Sequence, residues 1–159
     1  MAVVGAVGSG KSTFARTLSK RTGLPLLVLD DLYWRDGPVP SDDEWVRKHD
    51  ALVSMNRWVI DGDYRAVARA RFARADTVIW IDPPLVRRWS NIVHRARHDH
   101  PAPVWDCLRW TTRYSVRGSR ETASALAAAP PSLVVHRVKT RRAQRALLAH
   151  LAVSGAHHT

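Results

Sequence analysis

Short apolar runs alternate with stretches of helical spacing along the whole chain. The runs are Ala2–Val4, Leu26–Leu29, Trp58–Ile60, Thr77–Ile81 and Leu133–His136. Leu26–Leu29 shows no apolar–polar alternation, which favours a parallel strand that is buried on both faces. Strands that alternate with helices predict an α/β fold with parallel strands and right-handed crossovers, and ligands of such folds gather at the carboxyl ends of the strands.

Capping and helix-breaking residues set the predicted helix boundaries. The first helix is predicted from Lys11 to about Arg21, because Gly23 and Pro25 follow it. A capping-box pair, Ser41 and Glu44, predicts the start of the second helix. Further helices are predicted at Tyr64–Arg74, after Pro83-Pro84, at Trp105–Tyr114, at Glu121–Ala128 and around Ala143–Leu151.

The size and composition of the chain limit the classes of protein to consider. At 159 residues with 45% apolar side chains, the chain is long enough for one domain with a substantial core. We predict that domain over residues 1–152 and a disordered tail over 153–159. No apolar run approaches the roughly 20 residues of a membrane span, and the first residues lack the basic region of a signal peptide. Cys107 is the only cysteine, so no intrachain disulfide can form and we expect a buried thiol. We therefore expect a soluble, cytoplasmic protein without a membrane partner.

The charge balance favours polyanionic partners. Lys and Arg outnumber Asp and Glu by 25 to 14, which gives a formal net charge of +11. Such an excess suits nucleotides or nucleic acid, and the planar guanidinium groups suit bidentate phosphate contacts. Scattered surface arginines of an arginine-rich proteome would give the same balance, so charge alone leaves the partner open.

The segment Gly5–Ser12 carries the most specific motif in the chain. It satisfies G-x-x-x-x-G-K-[ST], with a predicted strand before it and a predicted helix after it. Gly5, Gly8 and Gly10 allow the backbone, with Ser9, to wrap a phosphate without Cβ clashes, so that its N–H groups point at the anion. The motif predicts a phosphate-binding loop (P-loop) for a nucleoside triphosphate.

The end of that motif supplies the charged and hydroxyl ligands. Lys11 is expected to reach the β- and γ-phosphates, and the Ser12 hydroxyl to ligate Mg²⁺. Thr13 would add a contact to the α-phosphate. The expected cofactors are therefore ATP and Mg²⁺, although the sequence does not decide between ATP and GTP. A GTPase lacks support, because no N-K-x-D segment that would read guanine occurs in the chain.

Four segments in order resemble the topology modulation protein family, a branch of small P-loop proteins related to adenylate kinase. The segments read GAVGSGKSTFAR, LLVLDDLYW, RWVIDGDYR and TVIWIDPP, and the match runs from Met1 to about Leu151. The resemblance implies a three-layer fold with a five-stranded parallel sheet, a site similar to that of nucleoside or nucleotide kinases, and a helical lid. The lid and its basic helices would cover residues 95 to about 120.

The resemblance also implies roles for individual residues. Asp61 would hold magnesium and Arg65 would contact the acceptor, but Asp63 and Tyr64 differ from the aromatic and proline residues of adenylate kinases. Asp30 would orient or deprotonate the acceptor hydroxyl. Strand-end or capping roles remain the alternative for Asp30 and Asp61.

Arginines of the predicted lid are the remaining candidate site residues. Arg95 and Arg97 stand at lid positions and would stabilise the transferred charge. Asn91 replaces another arginine of the family. The basic cluster Arg113, Arg117 and Arg120 would either complete the lid or lie in solvent.

Several other residues have less specific interpretations. The histidines of His98-Asp99-His100 are read as part of a surface loop, since adjacent side chains diverge and no second cluster supports a metal. Asp82 is read as a helix cap. Most tryptophans are expected in the core, whereas Trp34 is a candidate for stacking on an acceptor ring.

The leading hypothesis is an ATP-dependent kinase that acts on an unidentified small acceptor. The alternative is a nucleic-acid-associated regulator, which ATP would switch, as the family's name and the charge of +11 suggest. Neither the acceptor nor the oligomeric state follows from the sequence.

Overall fold

A computed structural model describes residues 1–34, 38–96 and 103–155, with side chains to residue 152. The strands are β1 (Ala2–Val4), β2 (Leu26–Val28), β3 (Val59–Asp61), β4 (Thr77–Ile81) and β5 (Val134–Val138). They form one five-stranded sheet in the order β2-β3-β1-β4-β5. All four neighbouring pairs are parallel, so the predicted α/β architecture is confirmed.

Eight α-helices flank the sheet within the described residues. They are α1 (Lys11–Thr22), α2 (Leu29–Trp34), α3 (Asp42–Val53), α4 (Ala68–Arg74), α5 (Leu85–Ala96), α6 (Val104–Arg113), α7 (Ser119–Ala127) and α8 (Arg141–Gly155). The Ser41 hydroxyl accepts a hydrogen bond from the Glu44 amide at 3.4 Å, so α3 begins at the predicted cap.

The sequence pattern missed three local features. The run Leu26–Leu29 was predicted as strand throughout, but Leu29 begins the short helix α2. A 3₁₀ turn, Arg65–Val67, precedes α4. A π-helical turn, Tyr114–Gly118, joins α6 to α7, and the Tyr114 ring lies so close to Gly118 that a Cβ there would be 2.5 Å from it. Side-chain period does not report such backbone changes.

Apolar side chains cover both faces of the sheet. Ala2 and Val4 of β1 pack on one face in a cluster that includes Trp45, while Val3 packs on the other face with Phe14 and Leu18. Alternate residues of a strand point to opposite faces, so the chain forms three layers, helices on either side of a buried sheet.

The last described helix extends into the predicted tail. The helix α8 runs to Gly155, so residues 153–155 of the predicted tail are helical, and 156–159 lie outside the described residues. In the described part of the chain, no helix combines the length and apolar character of a membrane span.

Candidate functional site

The P-loop follows β1 at the carboxyl edge of the sheet, and two of its glycines are required by space as well as by conformation. Gly5 has φ 149° and Gly8 has φ 77°. A Cβ on Gly5 would lie 2.4 Å from the Ile81 carbonyl oxygen, and one on Gly8 would lie 2.5 Å from that of Arg88. The loop can therefore approach β4 and α5 this closely only with glycine at both positions.

The amino end of α1 has electrostatic properties that favour binding of an anion. Gly10, with φ 90°, precedes the helix, and its first turn holds no acidic side chain. The partial positive charge of the helix terminus is thus not neutralised by a carboxylate of that turn. Lys11 and Ser12 begin the helix and Thr13 follows them, so all three stand at the predicted positions.

Two side chains from α5 and α6 fix the outer wall of the P-loop. The Asn91 amide donates to the Gly8 carbonyl oxygen at 2.8 Å, and the Thr111 hydroxyl donates to the Val7 carbonyl oxygen at 2.9 Å. Thr111 is fully buried. Asn91, which replaces an arginine of the resembled family, thus contacts the P-loop directly. No sequence signal pointed to Thr111.

Asp61 ends β3 and lies beside the P-loop helix. Burial raises the pKa of its carboxyl group, whereas the Lys11 charge and the Ser12 hydroxyl lower that pKa, so both groups stand next to it. Its Oδ1 atom is buried and has no hydrogen-bond partner among the described residues. A buried carboxylate oxygen without a partner beside a serine hydroxyl fits the oxygen ligands that Mg²⁺ prefers.

No closed metal centre surrounds this pair. Among the described residues, no group of three or more His, Cys, Asp and Glu side chains could hold a metal ion. A cation bound by Ser12 and Asp61 would therefore share its coordination with water or with phosphate oxygens, as Mg²⁺ does in nucleotide sites.

Asp30 stands one strand further along the same edge, in the first turn of α2. The Asp30 side chain is exposed. Its negative charge raises the pKa of the Asp61 carboxyl group. Burial raises the pKa of the Tyr64 hydroxyl, and the Asp30 charge raises that pKa further. The structure thus brings Asp30, Asp61 and the P-loop together at one edge of the sheet.

The predicted arginines differ in their surroundings. Arg65 forms an ion pair with Glu121 of α7, and Arg117 donates to the same carboxylate at 2.8 Å. Arg95 lies in the last turn of α5, where its charge lowers the pKa of the buried Cys107 thiol against the effect of burial. Arg97 lies outside the described residues. Of the basic cluster, Arg117 is held by Glu121, whereas Arg113 and Arg120 are exposed.

A buried cation beside the strand-end acids was given no role by the sequence reasoning. The Arg71 side chain is fully buried on α4, and its Nη2 donates to the Asp63 carbonyl oxygen at 2.7 Å. Burial lowers the pKa of Arg71 to about 10, while the charges of Asp63 and Asp61 raise it. The buried positive charge of Arg71 thus offsets the negative charges of Asp61 and Asp63. In the segment ARARFAR, nothing distinguishes it from the exposed arginines on either side.

The capping role predicted for Asp82 is wrong. Its carboxylate accepts from Arg88 at 2.7 Å and from Arg137 at 2.9 and 2.5 Å, so it joins α5 to β5. This pairing also places Arg88 on the buried side of α5, whereas Trp89 is not in the core where most tryptophans were expected. Trp89 is 41% exposed.

The other tryptophans divide into two groups. Trp45, Trp58 and Trp80 are buried, as predicted for core residues. Trp34 is 62% exposed, and Trp105 and Trp110 on α6 are 76% and 64% exposed. The segment His98-Asp99-His100 lies outside the described residues.

No family model matches the chain, and no curated protein matches it. Solved structures match it over nearly its whole length. A shikimate kinase from Acinetobacter baumannii in complex with shikimate has a TM-score of 0.64 at 15% identity, covering 99% of this chain and 93% of that one. A sugar kinase from Janibacter sp. HTCC2649 has a TM-score of 0.57 at 18% identity, with 99% and 96% covered.

A third similar structure is a gluconokinase from Sinorhizobium meliloti 1021. Its TM-score is 0.53 at 17% identity, and the match covers 99% of this chain and 95% of that one. At such identities the likeness establishes the fold, which is that of the small P-loop kinases. The resemblance to topology modulation proteins continues to rest on the four sequence segments.

Proposed function

We propose that the chain is an ATP-dependent phosphotransferase that moves the γ-phosphate of ATP to a hydroxyl group of a small acceptor. The observation that carries this proposal is the convergence of three features at one sheet edge. These are the P-loop followed by a helix whose first turn holds no acidic side chain, the Ser12–Asp61 pair with its unpartnered oxygen, and the exposed carboxylate of Asp30.

Each group has a chemical role in such a transfer. The P-loop amides and Lys11 bind the β- and γ-phosphates, while Ser12 and Asp61 hold Mg²⁺, which when bound offsets negative charge on the phosphates. Asp30 accepts the proton of the acceptor hydroxyl as that oxygen bonds to the γ-phosphorus and the bond to the β-phosphate oxygen breaks. Arg65, Arg95 and Arg97 would stabilise the charge that the transferred group carries.

The similar structures support the proposal only through their fold and their names, since three of them are called kinases. The acceptors in those names, shikimate and gluconate, belong to those proteins. The sequence resemblance supports ATP and a helical lid in the same way.

Calorimetric titration with MgATP tests the nucleotide site. Lys11→Ala should abolish binding, because it removes the one charge that the loop offers to the β- and γ-phosphates. Lys20→Ala is the matched control, since Lys20 is exposed on the same helix. Equal affinity of the Lys11 variant and the wild type would refute the assignment.

One observation favours a second candidate, a nucleic-acid-associated regulator. The helix α6 presents the exposed rings of Trp105 and Trp110 together with the exposed Arg109 and Arg113. Aromatic rings beside cations suit stacked bases and phosphates. Affinity for single-stranded DNA should then fall with salt with a log–log slope of about −0.7 per phosphate contacted, and a flat response would remove this candidate.

A further inference from the structure

A cavity of about 510 Å³ lies at the edge of the sheet opposite the P-loop. It opens where three strands begin, because Met1, Trp58 and Thr77 line it and stand at the amino ends of β1, β3 and β4. A strand of three residues spans roughly 10 Å, so the P-loop and Asp61 stand at the far ends of β1 and β3. Ligands of parallel α/β folds bind at the carboxyl ends of the strands, so the proposed phosphoryl transfer gives this cavity no role.

The inner wall of the cavity is apolar. Trp58 and Leu151 are 4% and 7% exposed, and Leu24, which also lines the cavity, is partly buried. These side chains come from the start of β3, from α8 and from the segment between α1 and β2, so three separate elements form the wall. Binding pockets for small molecules have volumes of about 300–1,000 Å³ and mostly apolar walls with a few polar groups. This cavity meets both conditions.

Two arginines supply positive charge to the cavity. Arg57 lies in the loop between α3 and β3 and Arg74 in the last turn of α4, and both are exposed. In the described part of the chain, neither guanidinium group makes a hydrogen bond or an ion pair. Of the described residues that line the cavity, one is a carboxylate: Asp76 is 76% exposed and lies 3.7 Å from the Met1 amino group. The two arginines outnumber it, so an anion in the cavity would meet a net positive charge.

The apolar wall and the two arginines together define a class of ligand. An apolar body would cover the tryptophan and leucine side chains, while a carboxylate or phosphate group would accept paired hydrogen bonds from a guanidinium group. The arginines would repel a cation. A ligand that is charged along its whole length would place charged groups against the apolar wall, where they lose water without gaining a partner.

We propose that the cavity binds a small amphiphilic anion, a carboxylate or phosphate monoester whose apolar part lies against Trp58, Leu24 and Leu151 while Arg57 and Arg74 bind its charged group. The cavity is distinct from the proposed active site, which lies at the other edge of the sheet. Binding here does not depend on the proposed phosphotransferase function, so a failure of either leaves the other standing.

Calorimetric titration with straight-chain compounds tests the two requirements. Octanoate should bind about tenfold more tightly than hexanoate, because two more methylene groups leave water, and about tenfold more tightly than octanamide, which has the same length without the charge. Octyl phosphate compares the second charged group with the first. Equal affinity of octanamide and both eight-carbon anions would overturn the proposal, as would the absence of binding by all four compounds.

Two variants test the arginines. Arg57→Gln and Arg74→Gln should each lower the affinity for octanoate about tenfold and leave that for octanamide unchanged. The control is Arg145→Gln, which removes the same charge from an exposed position on α8 outside the cavity and should change neither affinity. All three arginines are exposed, so the variants should fold like the wild type. Wild-type affinity in both cavity variants would contradict the site, as would an equal loss in all three, which would reflect only the net charge of the chain.

The location of the anion can be tested at both edges of the sheet. Lys11→Ala should leave octanoate binding unchanged, because the P-loop lies at the far ends of the strands. Nuclear Overhauser effects should connect the octanoate methylene groups with the methyl groups of Leu24 and Leu151. Loss of binding in Lys11→Ala, or Overhauser contacts confined to other methyl groups, would refute the cavity as the site.

Discussion

The proposed nucleotide side of the site is built from main chain, whereas the proposed acceptor side is built from side chains. Gly5 and Gly8 have contacts that any Cβ would break, and Asn91 and Thr111 bind main-chain carbonyl groups of the P-loop. On the proposed acceptor side, the Tyr33 ring packs against Trp45 and Tyr64, and Arg65 forms an exposed ion pair with Glu121. Backbone geometry must be conserved to bind phosphate, while side chains can be exchanged to change the acceptor. The two regions should therefore respond differently to substitution.

The largest effect is expected where a side chain invades the backbone of the P-loop. Gly5→Ala should lower the free energy of unfolding by roughly 3 kcal/mol and abolish MgATP binding, because the new Cβ meets a β4 carbonyl group. Gly23→Ala is the control: Gly23 has φ 68° and open space around it, so it should cost about 1 kcal/mol. Urea unfolding and calorimetry measure both, and equal losses in the two variants would contradict the steric account.

Substitutions of Asp61 and Asp82 should distinguish a loss of activity from a loss of stability. If Asp61 holds magnesium as proposed, Asp61→Asn should lower the rate of phosphoryl transfer about 100-fold. The same variant should leave stability equal or higher, because it removes a buried charge with an unpartnered oxygen. Asp82→Asn should lower stability by about 2 kcal/mol, because two arginines lose a charged partner, and should leave MgATP affinity unchanged. Activity assays and urea unfolding distinguish the two, and the assignment fails if both variants behave alike.

The helix α3 contains a buried histidine, His49, that makes the stability of the chain sensitive to pH. Burial, and then the charge of Arg71, lower the pKa of His49 to about 4, below its ordinary value of 6.5. The unfolded chain therefore takes up a proton between these pH values that the folded chain does not. Stability should be full above pH 6.5 and fall by about 3 kcal/mol as the pH drops towards 4. Urea unfolding of His49→Leu should show a weaker dependence; identical pH profiles would exclude His49 as the cause.

The smallest effect is expected at the two side chains that hold the P-loop from outside. Asn91→Ala and Thr111→Val should each weaken MgATP binding about tenfold, since each removes one hydrogen bond that orients a loop carbonyl group. The KM for the acceptor should not change. Asn56→Ala provides a control at an exposed asparagine away from the P-loop. Wild-type affinity in both variants would mean that the loop holds its shape without α5 and α6.

The same contrast explains what the sequence could predict. The alternation of strands and helices follows from local sequence patterns, although the order of the strands in the sheet does not. The P-loop and the strand-end acids Asp30 and Asp61 are also visible locally, and the structure brings them to one edge of the sheet. Their catalytic and metal-binding roles remain predictions. The cap of α3 at Ser41 was equally visible, because capping chemistry is local.

Pairings between distant segments could not be predicted. Arg71, Arg88 and Arg137 each occur among many arginines, and only the fold decides that they bind the Asp63 carbonyl group or the Asp82 carboxylate. Thr111 reaches a carbonyl group 104 residues away in the chain. The role of Asp82 was wrong for the same reason, since a carboxylate before two prolines gives no sign of arginines on α5 and β5.

Phosphorus NMR of the chain with MgATP and a panel of small hydroxyl compounds tests whether this edge of the sheet transfers a phosphoryl group to a hydroxyl group at Asp30. We expect a phosphomonoester signal that grows with the wild type and is lost with Asp30→Asn, although Asp30→Asn still binds MgATP. Bound ATP that yields no phosphomonoester with any acceptor, or an equal yield from Asp30→Asn, would contradict it.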